Sequence, residues 1–398
     1  MKVGFSPLDE QLGLVAGSLP PSIQEQLVDL AIWMPFARAL QRLKRSTGVQ
    51  ISEATARRHT YMLGSAAQAL QNAEASQPLR PSDQAEPTDK MIVSTDGAMV
   101  SLLGGVWAEV KTVAIGKVEP DQAEEGVHST QISYFSRMAD AQTFTEQASC
   151  ELLRRGVDQA SEVCAVMDGA EWIDGFVDWQ CQDALRILDF AHAAEYVSQI
   201  GQLAQAAGAV LPANWLQKQL HELKHEGPHT VLQEVRRRRD AHPEVEELGK
   251  KVTYLEKRET RMQYPHYRAA GWPIGSGIVE SGHRVVMQAR LTGAGMHWAP
   301  AHVNPLLALR MSACNDRWEE TNQRVHKHLA SVRLAKRRTH QAERYADRLR
   351  RLQRAFLLVT TRSRHQHPPR PLVSSSSRSG PTRPSASHPW RRPFLAKK

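Results

Sequence analysis

Three acids far apart along the chain, Asp96, Asp168 and Glu280, stand where the ends of secondary-structure elements would aim them at one point. Asp96 closes the apolar run Met91-Ile92-Val93-Ser94-Thr95, and Asp168 closes Val163-Cys164-Ala165-Val166-Met167. Glu280 opens a helical stretch after the loop Pro273-Ile274-Gly275-Ser276-Gly277. Convergent carboxylates without Cys or His partners favour hard cations, which take oxygen ligands. Two Mg²⁺ or Mn²⁺ ions held by such acids can activate a water and stabilise the leaving oxygen of a phosphodiester. Taken singly, each acid has a structural explanation. Asp96-Gly97 and Asp168-Gly169 are turn dipeptides, and Glu280 suits the first turn of a helix capped by Gly277. The joint order, strand-Asp, strand-Asp, helix-Glu, is what singles them out. A fourth feature is the D-x-x-H step Leu188-Asp189-Phe190-Ala191-His192. Asp189 is either a further or alternative acid of the set or a helix N-cap; His192 either orients DNA or faces a helix.

The elements that must position these residues begin with an amphipathic stretch over 22–45, in which Ile23, Leu27, Leu30, Met34, Ala37 and Leu40 recur at helical spacing. After a Gly-bearing turn, Ser52 can cap a second helix running to about Gln71. The pair resembles a helix-turn-helix, with Arg57 and Arg58 as candidate DNA contacts, and defines an N-terminal helical region over 1–75. Residues 76–90 read as a proline-punctuated linker. Strands are expected at Met91–Thr95, Trp107–Val118, Ile132–Phe135, Val163–Met167 and Ala184–Leu188, with a helix over Phe144–Gly156. This is an α/β pattern, and it describes an RNase H-like mixed sheet flanked by helices, its first part spanning 91–192. In that fold the first and fourth strands are neighbours and the last helix packs across their ends. An all-helical insertion over 193–270, which contains Arg236-Arg237-Arg238-Arg239, precedes the second part of the core, 271–316. A basic helix over 317–361 and a disordered basic tail over 362–398 complete the chain.

Charge is unevenly spread. The 398 residues carry a net +9, yet Ser331–Lys398 holds eighteen Lys/Arg against two acids, +16, which leaves −7 on the first 330 residues. Basic tails bind nucleic acid with strong salt dependence, although a solvated tail has the same composition. No run approaches a membrane span, and the first residues lack a signal-peptide pattern. The four cysteines have no C-x-x-C spacing, as suits a reducing cytoplasm, and argue against a zinc site.

With these residues in view, the chain resembles the DDE transposases of bacterial insertion sequences, most closely the IS-Kra type. The likeness is carried by Thr95-Asp96-Gly97, Met167-Asp168-Gly169-Ala170-Glu171-Trp172-Ile173, Leu188-Asp189-Phe190-Ala191-His192, Gly275-Ser276-Gly277-Ile278-Val279-Glu280-Ser281, Arg290-Leu291-Thr292-Gly293-Ala294-Gly295-Met296-His297-Trp298 and Leu307-Ala308-Leu309-Arg310, and runs from about Pro7-Leu8-Asp9 to Trp318. It implies that Asp96, Asp168 and Glu280 form the metal-binding triad, with Asp189 and His192 as the family's D-x-x-H signature. It implies Mg²⁺- or Mn²⁺-dependent hydrolysis at a transposon end, followed by attack of the freed 3′-hydroxyl on target DNA. The partners it implies are transposon-end and target DNA and a second copy of the chain, in a dimer or larger assembly at the bacterial nucleoid. Arg284, Arg290 and Trp298, on or just after the Glu280 helix, are further candidate DNA contacts, ordinary packing being an equal reading of the tryptophan. The cysteine-paired segment that such proteins carry ahead of Pro7-Leu8-Asp9 has no counterpart in this sequence, so the alternative expectation is a non-catalytic, transposase-derived DNA-binding protein or inhibitor.

Overall fold

Five strands form one mixed sheet in the computed structural model, which describes residues 19–77, 88–120 and 127–364. The Pro7-Leu8-Asp9 stretch, most of the expected linker and the expected tail beyond 364 lie outside the described residues. Strands β1 (Lys90–Ser101), β2 (Trp107–Pro120) and β3 (Val127–Arg137) make an antiparallel meander. On the other side of β1, β4 (Glu162–Met167) and then β5 (Leu185–Leu188) run parallel to it, giving the order β3-β2-β1-β4-β5. The Cys164-Ala165-Val166-Met167 run is buried throughout, as expected of a parallel strand covered on both faces. The parallel pairs require crossovers, which α4 (Ala141–Arg154) and α5 (Glu171–Gln180) supply.

Strand β1 differs from expectation in a way that shapes the site. It does not end at Thr95 but runs to Ser101, pairing with β2 all along, including Asp96↔Thr112 and Gly97↔Lys111. Asp96-Gly97 is therefore strand, not turn. The hairpin turn lies at Leu102–Val106, where Gly104 and Gly105 take φ of 86° and 75°, angles that favour glycine. What does stop at Thr95 is the neighbour: Thr95↔Met167 is the last β1–β4 pair. Beyond it β1 continues without β4, and its far end is met by Trp298, whose amide donates to the Ser101 carbonyl at 3.0 Å.

The N-terminal helices are α1 (Pro21–Trp33), α2 (Phe36–Thr47) and α3 (Glu53–Ala75). The stretch expected as one helix over 22–45 is split in two at Pro35, which has no N–H to donate and disfavours helix in the residue before it. Ser52 caps α3, accepting from the Thr55 amide at 3.2 Å. Helix α3 buries Leu63, Ala66 and Ala67 in the same core as the sheet. At Gly64 it lies so close to Pro305 that a Cβ would meet that residue's backbone. Leu27, Ala31, Phe36, Ala39, Leu43 and Ala56 form a smaller core among the three helices.

After β5 the insertion consists of α6 (Phe190–Ala206), α7 (Trp215–His225), α8 (Pro228–Ala241), α9 (Glu246–Glu256) and the short α10 (Tyr264–Ala269). The arginine run on α8 braces it internally. Arg236 reaches Glu256 at 2.8 Å, Arg239 reaches the same acid at 3.2 Å, and Arg238 reaches Glu234 at 2.5 Å. The Glu280 segment is α11 (Gly277–Gly282), a π-helical turn (His283–Gln288) and α12 (Ala289–Leu291), continuous in backbone conformation; α13 (Pro300–Cys314) follows. The described residues up to Ser331 form one compact unit. The chain from Val332 is a second unit, whose described part is the exposed, basic continuation of α14 (Trp318–Arg364). No described helix is long and apolar enough to cross a membrane.

Candidate active site

Asp96 and Asp168 are brought together by strand register. Each is the residue after the last β1–β4 pair, Thr95↔Met167, so the two leave adjacent parallel strands side by side. The Oδ1 of Asp96 accepts the Gly97 amide at 2.7 Å, and the Oδ1 of Asp168 accepts the Ala170 amide at 2.8 Å. Those bonds hold both carboxylates by one oxygen and leave Oδ2 of each outside them. Burial pushes the Asp96 carboxyl up to about 6, against the Gly97 amide bond, and the negative charges of Asp168, Glu109 and Glu280 push it the same way. Asp96 thus senses both other members of the triad.

Glu280 reaches this neighbourhood on α11, which packs across β1, β2 and β3. The close approach depends on Gly282, where a Cβ would stand 2.8 Å from the Tyr134 ring. Ser276, one residue earlier than expected, takes the N-cap position. Glu280 itself is exposed in the first turn. The next turn is π-helical, a geometry that recurs at functional sites. It begins with His283, 6% exposed, whose Nδ1 lies 3.7 Å from Asp96 Oδ2. Burial lowers the His283 pKa against an opposing interaction with Asp96, so the ring is neutral at neutral pH and adds no cation to the acids.

Asp189 is placed differently from the triad. It is 6% exposed, and both its oxygens are taken by backbone amides: Oδ2 by His192 at 2.9 Å and Oδ1 by Ser276 at 2.9 Å. It caps α6 and ties the end of β5 to the loop that precedes Glu280. His192 packs near Tyr196 and Tyr254, with ring centroids 5.2 Å and 6.0 Å apart.

Those tyrosines belong to a clamp that sequence reasoning missed. Gly169 has φ of 81°, and its carbonyl accepts from Arg258 Nη2 at 2.6 Å, while the Tyr254 hydroxyl donates to the Asp168 carbonyl. Tyr254 is stacked on Tyr196 at 4.0 Å, and the Arg258 guanidinium lies 3.7 Å from the Tyr254 ring centre. Arg261 reaches Asp174, in the helix after Asp168, at 2.7 Å. The insertion therefore grips the backbone of the second acid. The local signal, Tyr254 and Arg258 at i, i+4 spacing, is one that many helices carry.

The candidate DNA contacts divide by exposure. Arg57, Arg58 and Arg284 are on the surface, Arg57 paired with Glu53 at 2.5 Å. Arg290 and Trp298 are interior, at 2% and 6% exposure, which corrects the expectation that they meet DNA and leaves the packing reading for the tryptophan. Arg290 donates to the Ala31 carbonyl at 2.8 Å, and its guanidinium lies 5.0 Å from the ring centres of both Phe36 and Trp298. Arg310 donates to the Ile32 carbonyl and to those of Val285 and Val286 in the π turn. Ala31 and Ile32 lie in the last turn of α1, whose carbonyls have no partner within the helix. Two buried arginines satisfy them, and burial lowers Arg290 to about 10.

The donor set fits a hard divalent cation: three carboxylates, no thiol, and mutual repulsion that a cation would relieve. As the side chains stand, no three His, Cys, Asp or Glu among the described residues are gathered closely enough to hold a metal ion. Side-chain rotation about β1, β4 and α11 would have to close the set. No protein-family model matches the chain, and no curated protein matches it by sequence.

Proposed function

We propose that this protein is a DDE transposase with an RNase H-like core, cutting DNA strands at the ends of an insertion sequence and joining them to a target. One observation carries the reading: Asp96 and Asp168 leave neighbouring parallel strands at the same register, and the charges of Asp168 and Glu280 are felt at Asp96. Further support comes from the strand order β3-β2-β1-β4-β5, with three antiparallel strands and two parallel to the first, and from a Glu-bearing helix laid across β1 and β2.

In this reading Asp96 Oδ2, Asp168 Oδ2 and the Glu280 carboxylate are the oxygens that would hold Mg²⁺ or Mn²⁺. Such ions supply a nucleophile ionised at neutral pH and a counter-charge for the leaving oxygen. The Gly97 and Ala170 amides fix the orientation of the two aspartates, and Asp189 and the Tyr254–Arg258 clamp hold the backbone around them. Neutral His283 closes the inner side of the Asp96 carboxylate.

The test uses DNA fragments carrying the gene's own flanks, incubated with the full chain and Mg²⁺ or Mn²⁺. Strand cleavage by wild type and its loss in Asp96→Asn, Asp168→Asn and Glu280→Gln, at unchanged DNA affinity, is the expected result. Cleavage surviving all three substitutions would rule the triad out. A second reading is a transposase-derived DNA binder that does not cut. Its signature is metal-independent binding of the flanks with no cleavage by wild type.

A further inference from the structure

A cavity of about 760 Å³ lies where α7, α10 and the segment leading to Glu280 come together; Lys224, His225, Arg268, Trp272, Pro273 and Ile274 are among its lining residues. Its volume is that of a ligand site, and its charge is opposite to that of the body around it. Among the described residues no acid lines it, although the first 330 residues carry a net −7. Neither Lys224 nor Arg268 forms an ion pair with an acid among the described residues.

Helix dipoles give a competing account of these bases. Lys224 and His225 sit in the last turn of α7, and Arg268 in the last turn of α10, where cations are favoured by the partial negative charge of the helix end. Two such ends contribute about −1 in all, less than the two permanent cations alone. A net positive charge remains, and His225 lies within it: its pKa is lowered by desolvation and then by the charges of His221, Arg268 and Lys224, with Glu226 opposing them. Trp272 is buried at 4% exposure, and Lys90 Nζ lies 4.7 Å from its ring centre, so the ring is not free to stack on a base. That combination recognises phosphate and is blind to base identity.

Its place along the chain says which phosphates. Ile274 accepts from the Phe190 amide at 2.9 Å and Ser276 donates to Asp189 at 2.9 Å, so the cavity wall is pinned to the same loop that delivers Glu280. Six residues separate Ile274 from Glu280, a reach of at most about 20 Å. At about 3.4 Å per nucleotide along one strand, that is no more than about six nucleotides.

We propose that this cavity holds backbone phosphates of the DNA strand flanking the bond that is cut, at most about six nucleotides from it at the Ile274 wall, through Lys224 and Arg268, with His225 as a hydrogen-bonding partner. The proposal rests on the transposase reading for its ligand but uses no residue of the triad. It is tested by titrating the full chain against a labelled random-sequence duplex over a range of NaCl concentrations. Removing two phosphate contacts should make the slope of log affinity against log salt shallower by about 1.8, roughly a sixtyfold loss at about 0.1 M salt. Lys224→Gln/Arg268→Gln should show this loss, and Lys224→Glu/Arg268→Glu a larger one, equally on duplexes of unrelated sequence. Lys218→Glu, a charge reversal on the exposed side of the same helix, should leave the slope unchanged. Thermal melts of each variant check that these surface changes leave the fold intact. If the folded double variants keep the wild-type slope and affinity, the cavity is not a phosphate site and the transposase reading stands. If wild-type protein fails to bind any duplex at low salt, both fail.

Discussion

The two aspartates of the candidate site are held by opposite means. Asp96 sits inside a long strand, and the β2 ladder continues on both sides of it through Thr95↔Val113 and Gly97↔Lys111. Asp168 sits just past the end of a six-residue strand, in a loop whose next residue has φ of 81° and which is gripped by Tyr254 and Arg258 from 86 to 90 residues later. The first acid is fixed by its own sheet and the second by a helical module inserted elsewhere in the chain. Loss of the insertion's packing would therefore reach the site through Asp168 and leave Asp96 in place.

The glycines that follow the two acids give the sharpest way to break this contrast. Gly169→Ala places a Cβ against Arg258 and Tyr254 at a left-handed backbone position, and should cost about 2–4 kcal/mol in a denaturant melt, with loss of Mn²⁺ affinity by calorimetry. Gly97→Ala, by contrast, meets the flexible end of Glu109 and should cost under about 1 kcal/mol. Equal costs would show that the loop is not under the constraint described.

Next in size is the pH response of Asp96. Its folded pKa of about 6 lies above the unfolded value near 4, so as pH rises through that window the unfolded chain sheds its proton first and wild-type stability falls. Asp96→Asn removes the titration. Without divalent metal, its melting temperature should match wild type near pH 4, exceed it increasingly up to about pH 6, and keep a constant lead above that. Adding Mn²⁺ should raise the wild-type melting temperature by mass action and the variant's much less. A lead that is flat across pH would refute the assigned shift.

A smaller effect isolates the clamp. Tyr254→Phe deletes the hydroxyl that donates to the Asp168 carbonyl and should cost about 1 kcal/mol. Cleavage should fall through weaker metal binding, restored by raising Mn²⁺ concentration. A loss that no metal concentration rescues would mean that the hydroxyl acts in another way. Smallest of all, Arg237→Ala removes the most exposed arginine of the α8 run and should change stability by less than about 0.5 kcal/mol.

Much of the fold was legible because its signals are local. The apolar run ending at Met167, the Ser52 cap and the helical periodicity of the insertion each read correctly from neighbouring residues. Where reading failed, a competing local rule or a distant partner decided. Pro35 outweighed a hydrophobic stripe that ran through it. Asp96-Gly97 looked like a turn because the dipeptide is a common hairpin signal, yet the β2 ladder carries the strand past it, and Gly104-Gly105 make the turn. The place of Arg290 just after the Glu280 helix suggests DNA contact, and that of Trp298 contact or packing, because spacing says nothing of burial; Arg290 is interior because the carbonyl end of α1 needs a donor.

The amino-acid order by itself determined the element types, the sequence positions of the three acids, and the separation of a basic end from an acidic body, since these follow from residue-to-residue spacing and charge. Tertiary structure alone decided that Asp96 and Asp168 share a register, that Asp189 spends both oxygens on backbone amides, and that Tyr254 and Arg258 hold the second acid. Those outcomes depend on strand pairing and on contacts across many tens of residues, where the partner of a hydrogen-bonding group is chosen by which chains the packing brings alongside it.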